Sequence, residues 1–547
     1  MKKTVLKLVL TALVAGMSLP LSAQAADDAL MKKIEQMSRE LDELRNQVKM
    51  NEEKAARSAE EQKNAATKSD AKEIEGLKNK VAKIEEKSIG RWLTIGGDYR
   101  FRMDSLHGRT AAYTDAPTLS GLMPQVLAGT LPFQAAMAAA ARQADKPKNE
   151  TLYTNKFGLD LHAKALQDVT VNVKLDMYKT FGSQSDNATT GNYFADRIGV
   201  MDGTIGHVPS DGLLNVDRAY ATWSNILDQP VWFSVGRRPS TNGAPSNLKL
   251  NNERPGNGGT PSLLVDYAFD GMTLGYAPDI DILPGAYAKV CYGRGFDSGF
   301  KTVNNSIKDT DMLGVAVIPY ETDPLRVWLQ WNRGFNIFDS SVMKDTVFGN
   351  TNVSTNLGSI DWYGAGAMST LKKVGPGNLN IFADFGLSVT HPNTNTSNGL
   401  GLMSGTFDAL FAGTPEPNTS KTGWGVYAGV RYDLPSKTKI GFEFNHGSKD
   451  WIPFTPAADD MWTSKVGARG NVYEPYIIQE LNLKPLSSYF AKAFFKLGYQ
   501  YYDFEYTGSN NWVGSPVKIS SIQPSTILML APVKSAHDIY GTFEVKF

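Results

Sequence analysis

Residues 93–104 read LTIGGDYRFRMD. Leu93, Ile95, Tyr99, Phe101 and Met103 occupy alternate places, with Thr94, Asp98, Arg100, Arg102 and Asp104 between them. A period of two puts the first set on one face of a β-strand and the second on the other. One face is oily and the other carries two arginines and two aspartates. A single strand of this kind suits a sandwich core as well as a membrane wall, so the rest of the chain must decide.

The ends of the chain narrow the choice. Lys2 and Lys3 precede the apolar stretch VLKLVLTALVAGMSLPL, and Ala23–Gln24–Ala25 is a small-x-small cleavage site. This pattern predicts a cleaved secretory signal over residues 1–25. No later run of about 18 apolar residues follows, so no transmembrane helix is expected. The chain stops at DIYGTFEVKF, with Ile539, Gly541, Phe543, Val545 and Phe547 on one face of a last strand. Phe543, Val545 and the terminal Phe547 resemble the signal read by the barrel-assembly machinery of Gram-negative bacteria.

Residues 26–90 differ in kind. Leu30, Ile34, Met37, Leu41, Leu44 and Val48 step by four and three, the seam of a coiled coil. The seam lapses and returns out of phase at Ile74, Leu77, Val81 and Ile84. A lone charged helix of this length is marginal in water, which predicts a partner helix in a periplasmic coiled-coil segment.

From residue 91 to 547 the alternation repeats. Candidate strands lie at 93–104, 152–164, 169–178, 214–223, 231–238, 261–269, 285–294, 310–319, 325–333 and 358–368. Six more lie at 378–388, 422–433, 438–447, 475–484, 490–503 and 536–547. Short links such as 165–168 and 434–437 alternate with long ones such as 105–151 and 448–474. Short periplasmic turns, long external loops and an even strand number describe an up-and-down membrane barrel. The expectation is an all-β, transmembrane antiparallel barrel of about 16 strands with an N-terminal coiled coil. Within YAFDGMTLGYAPDIDILPGAY, Asp270–Gly271 is either a hairpin turn or a bulge preceding a turn at DIDILPG.

In lipid every backbone polar group must pair within the sheet, so the barrel closes. Arg or Lys facing the bilayer midplane would cost about 2–4 kcal/mol each. The charged face is therefore expected to be the lumen. Predicted pore-lining residues are Asp98, Arg100, Arg102, Asp104, Lys174, Asp176, Arg218, Arg238, Arg326, Arg431 and Glu443. The strand region holds 39 basic and 41 acidic residues, so no single sign of charge dominates it. The arginines would form an anion track if they cluster at one height; otherwise the acids pair with them in a salt-bridged wall. Trp232, Tyr220 and Trp328 are candidate stacking platforms. In loop 105–151, Pro132 and the following alanine run predict a short helix, expected to fold into or over the pore mouth.

The single cysteine, Cys291, forms no CxxC or haem-attachment motif, and the six histidines are scattered. Neither metal nor cofactor is expected. The Gly/Asn-rich stretch 239–260 lacks a strand-to-helix context, so no nucleotide or nucleic-acid partner is expected. No Ser/His/Asp constellation stands out, and an enzyme is not expected.

Signal, coiled-coil prefix and porin-sized barrel in that order resemble the phosphate-selective and sucrose-type porins, and the plan is comparable to a siderophore porin. More closely, IGGDYRFRMDS, VGRRPST, CYGRGFDSG and GFEFNHGSKDW resemble a bacterial family of porin-like outer-membrane proteins. No lysine ladder of the phosphate-porin kind stands out, which argues against phosphate selectivity. The resemblance implies outer-membrane lipid as surroundings, both termini in the periplasm and a homo-trimer. It implies a diffusion channel for small hydrophilic solutes. The competing expectation is a scaffold, such as the barrel of an electron conduit whose haem sits on a c-type cytochrome partner. Co-purified haem would favour the second and conductance by the isolated protein the first.

Overall fold

The computed structural model describes residues 43–50, 92–182, 209, 212–240, 243–252, 263–341, 343–346, 349–455, 460–487 and 491–547. The expected signal, the second seam and seam residues Leu30, Ile34, Met37 and Leu41 lie outside the described residues. Residues 43–50 are helical, with Leu44 and Val48 its two half-buried side chains. The chain divides into two units, residues 1–93 and 94–547. No described helix is long and apolar enough to cross a membrane.

Sixteen antiparallel strands close into a barrel, each paired with its neighbours in sequence. They are β1 (Leu93–Thr110), β2 (Lys148–Leu166), β3 (Val169–Thr180), β4 (Asn215–Trp223), β5 (Val231–Ser240), β6 (Tyr267–Tyr276), β7 (Tyr287–Phe296) and β8 (Thr310–Glu321). There follow β9 (Leu325–Phe338), β10 (Asn356–Val374), β11 (Gly377–Pro392), β12 (Thr422–Asp433), β13 (Thr438–Gly447), β14 (Gly470–Glu480), β15 (Lys492–Phe504) and β16 (Val533–Lys546). β1 and β16 seal the barrel in register from Asp98 opposite Lys546 up to Leu106 opposite Asp538 and beyond. The seal ends where Gly97 and Phe547 exchange backbone hydrogen bonds of 2.9 and 3.0 Å.

The wall is apolar outside. Ile95, Met103, Leu274, Val290, Leu329, Phe385, Ile440, Leu497 and Ile539 are all exposed on it. Their alternate neighbours Arg102, Asp104, Thr273, Lys289, Gln330, Asp384, Lys496 and Asp538 are buried. A water-soluble sheet protein has the reverse arrangement, so this is a wall built against hydrocarbon. Near the long-loop end the apolar band gives way to outward-facing ion pairs, Arg294–Asp311 at 3.0 Å and Arg333–Asp361 at 3.1 Å. Tyr292 and Trp331 donate to those same two aspartates. Paired charge with aromatic side chains suits the water interface of a membrane barrel.

Long loops and short turns alternate through the chain, but several boundaries move. The strand expected at 261–269 is Tyr267–Tyr276. Asp270 and Gly271 sit inside it, opposite Arg237 and Gly236 on one side and Arg294 and Gly293 on the other, with no register shift. The turn is the DIDILPG segment. The link expected at 369–377 contracts to residues 375–376. The strand expected at 475–484 begins at Gly470. Pro475 is tolerated because the ladder to β15 skips it, with Tyr473 opposite Tyr501 and Tyr476 opposite Gly498. The helix after Pro132 spans Phe133–Ala140 with Pro132 as its N-cap, and a second, unanticipated helix spans Ala116–Leu127. Both pack through Leu119, Ala136 and Ala140 on Leu400, Phe407 and Ile527 of other long loops.

Candidate functional site: a charged lumen and the loops folded into it

Five inward glycines form one cross-strand row. Gly364 faces Gly386, Gly386 faces Gly425, Gly425 faces Gly447, and Gly447 faces Gly470. The row leaves a bare strip across β10–β14, and side chains from two long loops lie in it. A Cβ on Gly425 would stand 2.6 Å from the Trp451 ring, and one on Gly386 or Gly447 would stand 2.7 Å from it. A Cβ on Gly364 would meet Leu264 at 2.6 Å. Only glycine lets the indole approach the backbone this closely. Trp451 is fully buried, donates from Nε1 to the Val466 carbonyl at 2.8 Å, and heads the loop 448–469.

That loop also carries Lys465 into the wall. Its Nζ reaches Glu474 at 2.5 Å and also pairs with Glu443. Tyr427 donates to Glu443 at 2.7 Å and Tyr540 to Glu474 at 2.6 Å. Burial disfavours the Lys465 charge, yet Glu443 and Glu474 outweigh it and hold the proton more firmly than on an ordinary lysine. Met461 and Trp462 pack on Leu106, Leu152 and Tyr178, closing the interior towards the long-loop end. Arg469 anchors the loop's end on the carbonyls of Trp451, Thr507, Gly508 and Asn511.

Residues 248–251 of the loop between β5 and β6 lie inside the barrel. Lys249 pairs with Glu474 at 2.8 Å and Asp460 at 3.2 Å. Arg431 donates to the Leu248 carbonyl at 2.6 Å, and Lys546 to the Leu250 carbonyl at 2.5 Å. Asn251 accepts from Lys439 and donates to Glu480. Lys439, Glu480 and Lys546 all stand within a few residues of the short-turn end. Leu250 and Asn251 of this loop therefore stand near it.

The predicted lining residues fall into four groups. Arg102 lies 2.6 Å from Asp104, 2.8 Å from Asp538 and over the Tyr540 ring, and Arg100 lies over Tyr178. Arg431 and Glu443 hold the inward loops as described, and Arg431 also forks onto Asp433 with two contacts of 2.7 Å. On β1–β4, Lys174 pairs with Asp98 at 2.8 Å and Asp176 at 3.7 Å, and Arg218 with Asp217 at 3.0 Å. Lys156 joins them through Asp176 at 3.5 Å. Nearby Asp160, His162 and Lys164, on the same face of β2, are exposed. Arg238 and Arg326 fall on a separate stretch, β5–β9. Trp328 and Tyr220 are covered, so they offer no open stacking face; Trp328 donates to Asp384 at 3.2 Å.

Sequence reasoning missed Lys249, Trp451, Asp460, Lys465 and Arg469. The available signal was WIPF at 451–454 and Met461–Trp462, too apolar for a loop standing in water.

Residues 146–547 match a family model described as "Protein of unknown function (DUF3373)". The chain belongs to the DUF3373 family. None of the curated proteins compared with it matches in sequence. Among solved structures, the DUF3373 chain is similar to an anion-selective porin from Comamonas acidovorans at 10% identity. That match covers 83% of this chain and 99% of the porin, with a TM-score of 0.39. It is also similar to Salmonella typhi OmpF, solved in complex with daunomycin, at 10% identity, 83% and 97% coverage and a TM-score of 0.38. Outer-membrane OmpT of Vibrio cholerae gives 11% identity, the same coverages and 0.36.

Proposed function

We propose that this barrel is an outer-membrane channel for small hydrophilic solutes whose passage is limited by the two loops folded into it. The observation that carries the reading is the inverted wall, apolar where it is exposed and charged where it faces inward. An exposed polar surface on β2, with the Lys174 and Arg218 ion pairs beside it, opens towards the short-turn end and suits water and ions. Acids and bases are mixed along it, which favours weak ion selectivity. The barrel-assembly signal at Phe543, Val545 and Phe547, a trimeric state and periplasmic termini belong to the same reading.

The test is single-channel conductance of the refolded protein in planar bilayers, with reversal potentials in asymmetric salt. Discrete openings with a small reversal potential are expected. No conductance from the wild type or from a variant freed of the Lys465 latch would overturn the proposal.

A further inference from the structure

The inward face of β5–β9 collects cations where the rest of the lumen mixes signs. Arg238 on β5 and Lys289 on β7 line one hollow of about 50 Å³ in the wall, together with Thr273, Cys291, Gln330 and Asn332. The hollow exists because Gly293 and Gly314, also on its lining, present no side chain. No carboxylate stands among the described residues that line it. Arg326 and Glu321 act on Lys289 from the short-turn side, and Glu321 is itself 3.4 Å from Arg326.

Two donors in this hollow have no acceptor. The Arg238 Nε is buried without a hydrogen-bond partner, although the guanidinium lies over the Tyr220 ring at 5.8 Å. The Asn332 amide nitrogen is likewise unpartnered, on a side chain nine-tenths buried. Gln330 has an unpartnered amide oxygen, and turning that amide over presents a further N–H pair. Thr273 is already spent, donating to Cys291 Sγ at 3.1 Å. Buried donors left without acceptors, such as the Arg238 Nε and the Asn332 amide, are costly.

We propose that this hollow is a binding site for a small inorganic anion, held by Arg238, Lys289 and the Asn332 amide. A space of this volume holds a few waters and admits a halide or a single oxyanion. The anion completes the wall's hydrogen bonding at the Arg238 Nε and the Asn332 amide. Its binding does not depend on solutes crossing the barrel, so the site and the channel reading fail separately.

Crystals of the full chain grown in acetate and soaked in sodium bromide test it by anomalous scattering. A bromide peak touching Arg238 and Asn332 is expected, together with its loss in Arg238→Gln and Lys289→Met. In detergent, the wild type should melt higher in bromide or phosphate than in gluconate, and Arg238→Gln should weaken the apparent bromide affinity about tenfold or more. Should Arg238→Gln fail to fold, Asn332→Leu carries the same comparison without removing charge. Phosphate stabilisation that is lost in Arg238→Gln, without bromide density, assigns the site to an oxyanion and supports the proposal. An anion peak that survives both charge substitutions overturns it. So does an ordered water in the hollow with equal melting in all three salts.

Discussion

Lys465 and Glu474 approach to 2.5 Å inside the barrel, one from a loop and the other from the wall. Neither is more than 5% exposed, and Glu443, equally buried, shares the lysine. Lys465→Met leaves two buried carboxylates facing each other. Breaking such a unit from one side costs about 3–5 kcal/mol. Urea unfolding in detergent should show a loss of this size. The double variant Lys465→Met/Glu443→Gln, in which Glu474 keeps Lys249 at 2.8 Å, should recover most of it, and conductance should rise in both. A single variant as stable as wild type would remove the latch from the account.

The glycine row gives an independent handle on the same loop. Gly425→Val places carbon where the Trp451 ring lies, 2.6 Å from a bare Cβ position. Overpacking of this kind costs about 1–3 kcal/mol, and the loop is the part free to yield. Trp451 should leave its seat while the strands persist. The expected outcome is a red-shifted tryptophan emission and new tryptic cleavage in 448–469, with the β-sheet circular dichroism unchanged.

These two handles also show where the sequence was legible. Strands 422–433 and 438–447 have the predicted bounds because their alternation is unbroken and a short Pro–Ser–Lys-containing turn separates them. The wall residues Arg102, Asp104 and Glu443 were readable for the same reason. Asp270–Gly271 left two readings open because turn chemistry is local, whereas the register of β5, β6 and β7 that decides for the turn at DIDILPG is not. The glycine row was invisible for a related reason. Its members lie on five different strands, and only the pairing register aligns them. Without it, the loops they admit read as external.

Acid should loosen one long-loop contact selectively. Burial alone would raise the Asp339 carboxyl, but hydrogen bonds from Ser354, Thr355 and Ser397 hold it below its ordinary value. They run at 2.5 Å from the Ser354 hydroxyl, 3.0 and 3.1 Å from the Ser354 and Thr355 amides, and 2.7 Å from Ser397. A depressed acid stabilises the folded state above its unfolded value, near 3.9 for Asp, and that stability is lost as pH falls through the folded value. Amide exchange at Ser354 and Thr355, corrected for intrinsic rates, should therefore accelerate below about pH 4. In Asp339→Asn it should already be faster at neutral pH and show little further acid response.

The helix Phe133–Ala140 roofs the long-loop end by packing Ala136 and Ala140 against Leu400, Phe407 and Ile527. Deleting Phe133–Gln143 removes that apolar contact and leaves every barrel strand whole. Single-channel conductance should rise relative to wild type, and unchanged conductance would argue that the roof lies off the solute path.

The last prediction concerns closure. Phe547 reaches past the end of β16 to bond Gly97 on both its N–H and its carbonyl. A Cβ on Gly97 would meet the Gly158 carbonyl at 2.4 Å and the Phe547 ring at 2.8 Å. Gly97→Val therefore strains β1 and β2 together, at the edge where an open sheet would expose unpaired backbone to lipid. Heated in detergent, the variant should lose its compact electrophoretic form at a lower temperature than wild type. Gly541→Ala, where a Cβ meets nothing within 4 Å, should melt with wild type. Equal midpoints for all three proteins would mean that the Gly97–Phe547 contact adds nothing to the seal.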